Sequence, residues 1–386
     1  MKIIFPSIGF NLKGGNLYND LVDSILERGH EIVICRSEDK IKETSLEKIN
    51  NRFEVLHIKT GNQFEKNPVK KGINMIMLSR YFIKAIKKNL SNYKFDLVLY
   101  ATPPISLNAV VEFCKNEYKA KTFLMLKDIF PQNAADLNMI KENSIIYNFF
   151  RQKEKSLYEL SDYIGCMSEK NKEYLLSHNE IPKEKVHIFY NSIKIKNIEI
   201  KKEPKEYIDI LFGGNLGKPQ YIDGVLKIID RLKDYEKIKF TIIGKGTEAF
   251  KVKKYIEEKK PKNLIFYDYL EKNEYEKKLM KTDIGLISLD YRFTIPNIPS
   301  KMLSYMEMKK PIIAITDENT DLKEMIESAD CGWWLKSNDT EIVVETIKKI
   351  SDMQDLEKKG LNGYKYLKKY FDVEINVKQI EEFMEE

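Results

Sequence analysis

"TIPNIPSKMLSYM", from Thr294 to Met306, lies between two short apolar stretches, Ile284–Leu289 and "KKPIIAIT", Lys309–Thr316. Both flanks read as buried strands, and "KMLSYM" reads as the start of a helix. Pro299 suits the last rigid position before such a helix, and Ser300 or Asn297 can cap it. Lys301 then falls in the first helical turn. A cation there opposes the helix dipole, so Lys301 is expected to face an anion, and a phosphate would serve. The alternative is a lysine that reaches out into water.

The same strand–turn–helix pattern extends in both directions. "KIIFP" (Lys2–Pro6) predicts a strand and "GGNLYNDLVDSILERGH" (Gly14–His30) a helix. "EIVIC", "FEVLHI", "FDLVLYA", "TFLMLKD", "YIGCMS" and "VHIFYNS" predict further strands, with helices over about Asn74–Leu90 and Ile145–Leu160. "IKIKNIEIKKEPKEY" (Ile193–Tyr207) is charge-rich, carries Pro204 and has no apolar stripe, so it reads as a linker. The alternation restarts with "IDILFGG" and continues through "KFTIIGKG", "NLIFYDYL", "DIGLISL", "PIIAIT" and "CGWWL". Strands separated by helices of about 10–15 residues predict parallel, helix-covered sheets. The expected organisation is a first domain over 1–192, a linker over 193–207 and a second domain over 208–372.

Ligands of open parallel sheets bind beyond the carboxyl ends of the strands. Those ends carry "GFNLKGG" (Gly9–Gly15), "GGNLGKPQ" (Gly213–Gln220), "GKGTE" (Gly244–Glu248) and the proline-rich stretch above. Each is a turn that lets backbone N–H groups approach an anion. Any one of them could be no more than a tight turn, but four at the same sheet edges point to an anionic ligand.

Several chemistries are disfavoured. Gly9, Gly14 and Gly15 have the wrong spacing for a dinucleotide fingerprint, and no P-loop or GxSxG is present. His30, His57, His178 and His187 make no metal-ligand spacing. His30, in "RGHEIVI", reads as structural. Cys35, Cys114, Cys166 and Cys331 form no CxxC and suit a reducing cytosol. No apolar run reaches the roughly 18–20 residues that span a bilayer. "MKIIFPSIGF" does not read as a signal peptide.

The net charge of +6 is uneven. Residues 1–190 carry 29 Lys and Arg against 23 Asp and Glu, which leaves 36 of each for the rest (65 − 29 and 59 − 23). Lys66–Phe95 holds eight basic residues and no acidic one. On a helical wheel Met75, Leu78, Phe82, Ala85, Ile86 and Leu90 cluster, with Arg80, Lys84 and Lys87 opposite. This is either a core-packed helix with a solvated basic face or an element attracted to anionic lipid. No nucleic-acid motif accompanies the charge.

The ordered set "RGHEIVI", "LKDIFPQNAADL" (Leu126–Leu137), "EKSLYELSDYIGCMSEKNKEYL" (Glu154–Leu175), "FGGNLGKPQYID" (Phe212–Asp223), "FTIIGKGTE" and "RFTIPNIPSKMLSYMEMKKPIIAITD" resembles family 4 retaining glycosyltransferases. Within them it resembles the WbuB-like branch of capsule and O-antigen synthesis. The resemblance spans nearly the whole chain, and "LKDIFPQ" with "FTIPNIPSKMLSYM" is its specific part. It implies an α/β GT-B fold, two Rossmann-like parallel-sheet domains facing across a cleft. The second domain would bind a UDP-sugar and the first a lipid-linked saccharide acceptor. Residues 373–386 would cross back to the first domain. The enzyme would be cytoplasmic, peripheral at the inner face of the plasma membrane, and would need no metal. The sugar moved could be an N-acetylated amino or deoxyamino sugar.

On that resemblance the donor-binding residues are Gly14, Gly15, Gly214, Asn215, Gly217, Lys218, Gly244, Gly246, Asn297, Ser300, Lys301 and Ser304. The family's two glutamates fall at Pro296 and Ser304, so Ser304 would make at most one weaker hydrogen bond to the ribose. Its diphosphate-binding Arg and Lys fall near Asn215 and Gln220, which leaves Lys218 and Lys301 as substitutes. Its histidine after the fourth strand is replaced by Lys127 and Asp128, taken as the catalytic pair, with Asp128 orienting a hydroxyl or balancing oxocarbenium charge. Asp128 could instead cap the turn before Pro131. The alternative functions are a nucleotide-sugar epimerase on the same fold and a catalytically weakened nucleotide-sugar-binding protein.

Overall fold

The computed structural model describes residues 1–12, 14–61, 68–199 and 205–386, with the side chains of 68–76 outside it. The chain divides into two compact units, Met1–Lys194 with Val373–Glu386, and Ile195–Asp372. Residues 200–204 of the expected linker, Lys13 of "GFNLKGG", and the Lys66, Lys70, Lys71 and Met75 side chains lie outside the description.

Among the described residues, the first unit is built on eight strands. They are β1 (Lys2–Ser7), β2 (Glu31–Glu38), β3 (Ser45–Lys48), β4 (Phe53–Lys59), β5 (Leu97–Thr102), β6 (Lys121–Leu126), β7 (Tyr163–Cys166) and β8 (Val186–Ile188). Their order is β3-β4-β2-β1-β5-β6-β7-β8. The central strands are apolar at successive positions, as at Ile3, Ile4 and Phe5 or Leu97, Val98 and Leu99, all of them buried. Helices cover both faces of such a parallel sheet, so inward–outward alternation is lost. β3, "SLEK", is the exception. It pairs antiparallel with β4 at the edge, with Leu46 opposite Leu56, and its polar composition hid it from the sequence reading.

The helices of this unit are α1 (Leu17–Glu27), α2 (Pro68–Asn89), α3 (Asn108–Tyr118), α4 (Gln132–Asp136), α5 (Ile145–Leu160) and α6 (Glu169–His178). α1 starts later than Gly14. Gly14 and Gly15 have φ of +80° and +94°, which helix excludes, and Asn16 caps α1 by accepting from the Tyr18 and Asn19 N–H groups. α2 buries Leu78, Phe82, Ala85 and Ile86 and exposes Arg80, Lys84, Lys87 and Lys88, and Leu90, just past its end, is buried too. α2 packs on α3, and α3 on α5.

The second unit contains β9 (Ile208–Gly213), β10 (Ile238–Ile243), β11 (Leu264–Tyr267), β12 (Ile284–Ser288), β13 (Ile312–Thr316) and β14 (Gly332–Lys336), all parallel, in the order β11-β10-β9-β12-β13-β14. Its helices are α7 (Ile222–Arg231), α8 (Ala249–Lys259), α9 (Lys272–Lys281), α10 (Lys301–Glu307), α11 (Leu322–Ala329), α12 (Thr340–Ile350) and α13 (Leu356–Tyr370). The last helix, α14 (Val373–Glu385), belongs to the first unit and packs on α1. Its Val373, Val377, Ile380 and Phe383 join the same apolar cluster as Ile3, Phe5, Leu21 and Ile25.

Candidate functional site

In the second unit three distant segments meet at the carboxyl ends of β9, β10 and β12. The turn after β9 and the turn after β10 lie backbone against backbone. The Gly214 N–H donates to the Ile243 carbonyl at 2.8 Å, and the Leu216 N–H to the Lys245 carbonyl at 2.9 Å. A Cβ on Gly244 would lie 1.8 Å from the Gly214 oxygen, so this approach requires glycine. Gly214 itself has φ of +114°. The Gly246 position is closed in the same way by the Leu216 carbonyl, 2.4 Å from a Cβ there. Gly214 and Asn215 stand exposed on the outer side of the turn.

Lys301 opens α10 and lies under this turn. Its Nζ is 3.8 Å from the centre of the Phe212 ring, and its Cε would be 3.9 Å from a Cβ on Gly214. The ammonium is buried and has no hydrogen-bond partner in the protein. Burial pushes its pKa down to about 7. The cation–π contact, worth about 2 kcal/mol or more when desolvated, offsets part of the desolvation. The arrangement is a buried lysine Nζ without a hydrogen-bond partner beside a glycine turn.

Tyr305, one helical turn beyond Lys301, fixes this arrangement. Its hydroxyl accepts from the Gly213 N–H at 3.1 Å and faces the Leu211 and Leu286 carbonyls, each at 3.2 Å. Its ring fills the space beside Gly285, where a Cβ would be 2.3 Å away. Tyr305 thus ties the helix carrying Lys301 to the strand carrying the turn. The sequence reading missed it, although the i, i+4 spacing from Lys301 places both on one helical face.

Other expected residues behave differently. Ser300 is exposed and makes no side-chain cap. Its backbone is already helical (φ −62°, ψ −19°), which turns the hydroxyl away from the capping geometry. The Asn297 carbonyl accepts from the Thr320 hydroxyl at 2.7 Å. Ser304 is half-buried on α10. Gly217 is buried, and its N–H donates to Gln220 Oε1 at 3.1 Å. Lys218 is exposed. Gly14 and Gly15 belong to the first unit, in a turn where Asn11 Nδ2 donates to the Gly14 carbonyl at 3.1 Å.

In the first unit, Lys127 and Asp128 follow β6. The Thr102 hydroxyl, at the end of β5, accepts from the Lys127 N–H and donates to the Asp128 carbonyl, both at 3.2 Å. Asn133 Nδ2 donates to Asp128 Oδ1 at 2.6 Å. Burial pushes the Asp128 carboxyl up to about 6, against the opposing pull of Asn133 and the Ile129 N–H. Lys127 Nζ points elsewhere, 3.4 Å from the Phe189 carbonyl, and burial lowers it to about 7. Asn133, five residues beyond Asp128, was not singled out in the sequence. Its role emerges only when α4 folds back on the end of β6.

Among the described residues, no group of three or more His, Cys, Asp or Glu side chains is placed to hold a metal ion, and no helix is long and apolar enough to cross a membrane. The four cysteines are free and buried.

Two parallel-sheet units of this kind have the architecture of the GT-B fold. Residues 15–197 match the family model Glycosyltransferase Family 4, and residues 193–365 match Glycosyl transferases group 1. Together the two models span residues 15–365, and the chain is a glycosyltransferase whose first half matches family 4. It is 25% identical over 288 residues to the "Probable glycosyltransferase WbjE" of Pseudomonas aeruginosa, covering 72% of each chain. It is similar in fold to sucrose-phosphate synthase from Thermosynechococcus elongatus, with a TM-score of 0.77 at 12% identity over 99% of this chain and 98% of that one. It is also similar to HepE of Anabaena in complex with UDP and glucose, with a TM-score of 0.71 at 13% identity over 100% and 99%.

Proposed function

We propose that this glycosyltransferase moves a sugar from a UDP-sugar to a lipid-linked saccharide, with retention at the anomeric carbon, in surface-polysaccharide synthesis. The observation that carries the donor half is the buried, unpartnered Lys301 ammonium beneath the Gly213–Gln220 turn. The diphosphate rests on that ammonium and on the N–H of Asn215, on the exposed outer side of the turn, since the Gly213, Gly214, Leu216 and Gly217 N–H groups are already engaged. The family resemblance and the UDP complex of HepE support uridine diphosphate as the carrier.

In this reading the acceptor hydroxyl attacks the anomeric carbon, the bond to the leaving phosphate oxygen breaks, and the hydroxyl proton passes to that oxygen on the same face. The protein positions the reactants and stabilises the charge on the departing diphosphate. Asp128, held by Asn133, orients the attacking hydroxyl in the first unit. The exposed Arg80, Lys84, Lys87 and Lys88 on α2 supply attraction to an anionic membrane, about 1 kcal/mol each near such a surface. In this reading the enzyme works peripherally, at the cytoplasmic face of the plasma membrane.

UDP is expected to raise the melting temperature in the presence of a chelator, because a ligand held only by the native state stabilises it. A shift that requires added Mg²⁺ or Mn²⁺ removes the metal-free reading. A panel of nucleotide-sugars with membrane extract, read for UDP release and glycolipid product, then names donor and acceptor.

Asp128→Asn keeps the shape and the contact to Asn133 but removes the charge. Turnover should fall about 10²-fold, as expected when the charge that orients the attacking hydroxyl is lost, with UDP affinity unchanged. The wild-type acid limb should rise through a pH of about 6, since the carboxyl is protonated below that value. A wild-type profile flat between pH 5 and 7 would remove Asp128 from the reaction.

A further inference from the structure

The amino end of α5 presents an apolar surface that neither sheet nor core uses. Ile145 is 90% exposed, Ile146 60%, Met139 58% and Phe149 49%. Single exposed apolar residues are ordinary, but four within eleven residues are not. The surrounding charge is mostly positive. Arg151 is held by its ion pair with Glu154, which leaves Lys141 and Lys153 against Glu142 between Met139 and Lys153, and Lys153 Nζ lies 5.9 Å from the Phe149 ring centre. α5 is one of the three helices of the layer α2–α3–α5, which also carries the exposed Arg80, Lys84, Lys87 and Lys88. The patch is also joined to the candidate acceptor site. The Phe149 ring meets Phe150 at 5.4 Å, Phe150 meets Phe130 at 5.0 Å, and Phe130 is two residues from Asp128.

We propose that Met139, Ile145, Ile146 and Phe149 form a wedge that inserts into an anionic phospholipid bilayer and sets the Asp128 edge of the first sheet against the lipid headgroups. This rests on the reading that the acceptor is lipid-linked. Charge complementarity selects the bilayer as the occupant. Basic side chains flank the apolar ones as they do on interfacial helices, where headgroups take the charge and acyl chains take the apolar side chains. A lipid-linked substrate cannot leave the membrane, so its reacting end must be met at the surface. A wedge beside Asp128 would bring the hydroxyl-orienting group there. The basic helix supplies reach, and the wedge supplies depth and register.

The test uses the full chain with Ile146→Cys labelled by an environment-sensitive fluorophore, since the four native cysteines are buried. Ile342→Cys on α12, where the native side chain is 57% exposed, is the control. With phosphatidylglycerol–phosphatidylcholine vesicles the label at 146 should turn apolar and be quenched by nitroxide lipid, while the label at 342 stays in water. Ile145→Ser, Ile146→Ser and Phe149→Ser together should weaken vesicle binding about tenfold or more and leave the ligand-free melting temperature unchanged. The loss should persist at high salt, where attraction to the basic face is screened. Vesicle binding with the label at 146 still wet overturns the wedge while sparing the lipid-acceptor reading. Failure to bind vesicles also overturns it, and transfer to a detergent-solubilised glycolipid then judges that reading separately. A wild-type dimer that the triple serine variant makes monomeric assigns the patch to a second copy instead.

Discussion

Lys301→Met should make the ligand-free protein melt several degrees higher and should abolish the further rise that UDP brings. The side chain is a buried cation with no partner, and its pKa has fallen from 10.5 to about 7. Between those values the unfolded chain holds a proton that the folded chain has shed, so stability rises with pH across about 7 to 10.5. Below about pH 7 both states are protonated and the cost of burying the charge is fully present. At 1.36 kcal/mol per pH unit that cost is on the order of a few kcal/mol. Methionine fills the same volume against Phe212 without the charge. In a unit of this size each kcal/mol moves the melting temperature by roughly 2–4 °C. The gain should therefore be largest at or below pH 7 and vanish near pH 10.5. Differential scanning fluorimetry at pH 6.5, 8 and 10, with and without UDP, reads both effects.

The same residue should couple donor binding to a proton. An anion beside Lys301 restores the charged form, so UDP affinity falls as pH rises above about 7, by up to tenfold per unit. Calorimetry at pH 8 in buffers of different ionisation enthalpy should report uptake of about one proton. A Lys301→Met protein that melts no higher and still responds to UDP would leave Lys301 a buried lysine with no part in donor binding. Residues that a protein keeps against its own stability are the ones its ligand needs.

Much of this was legible in the sequence, for identifiable reasons. Central parallel strands announce themselves as apolar runs, and the α5 limits, Ile145 and Leu160, agree with the sequence reading because Ser144 caps the start and the stripe is regular. The basic face of α2 followed from period alone. β3 did not, since three polar residues and one leucine at an edge are too short a run to carry a pattern. The environment of Lys301 could not be read at all. Its burial depends on Phe212 and Gly214, almost ninety residues earlier, and no local rule reports a contact at that separation. Ser300 shows the opposite error, where a good capping residue type sat on backbone already in the helical region.

Truncation after Asp372 should cost the first unit its fold. α14 looks dispensable by position, as a short terminal helix. Yet Val373, Val377 and Ile380 are fully buried and Phe383 nearly so, in the cluster that contains β1 and α1. Each such side chain is worth about 1.5–3 kcal/mol, so the four together contribute roughly 6–12 kcal/mol. That is comparable to the whole stability of an ordinary domain, about 5–15 kcal/mol. The polar contacts add direction. The Val373 N–H donates to the Ile193 carbonyl at 3.0 Å, Asn376 Nδ2 to the Tyr190 carbonyl at 2.8 Å, and Arg28 pairs with Glu381, holding that carboxyl down to about 2. These surface ion pairs contribute little by themselves. Residues 1–372 should therefore express as aggregate or give a partly unfolded protein, whereas Arg28→Ala should shift the melting temperature by a degree or two at most. Val377→Asp in the full chain should reproduce the truncation, because it buries an unpaired charge in the same contact. A truncated protein that melts cooperatively at the wild-type temperature would mean that α1 and β1 close their core without α14.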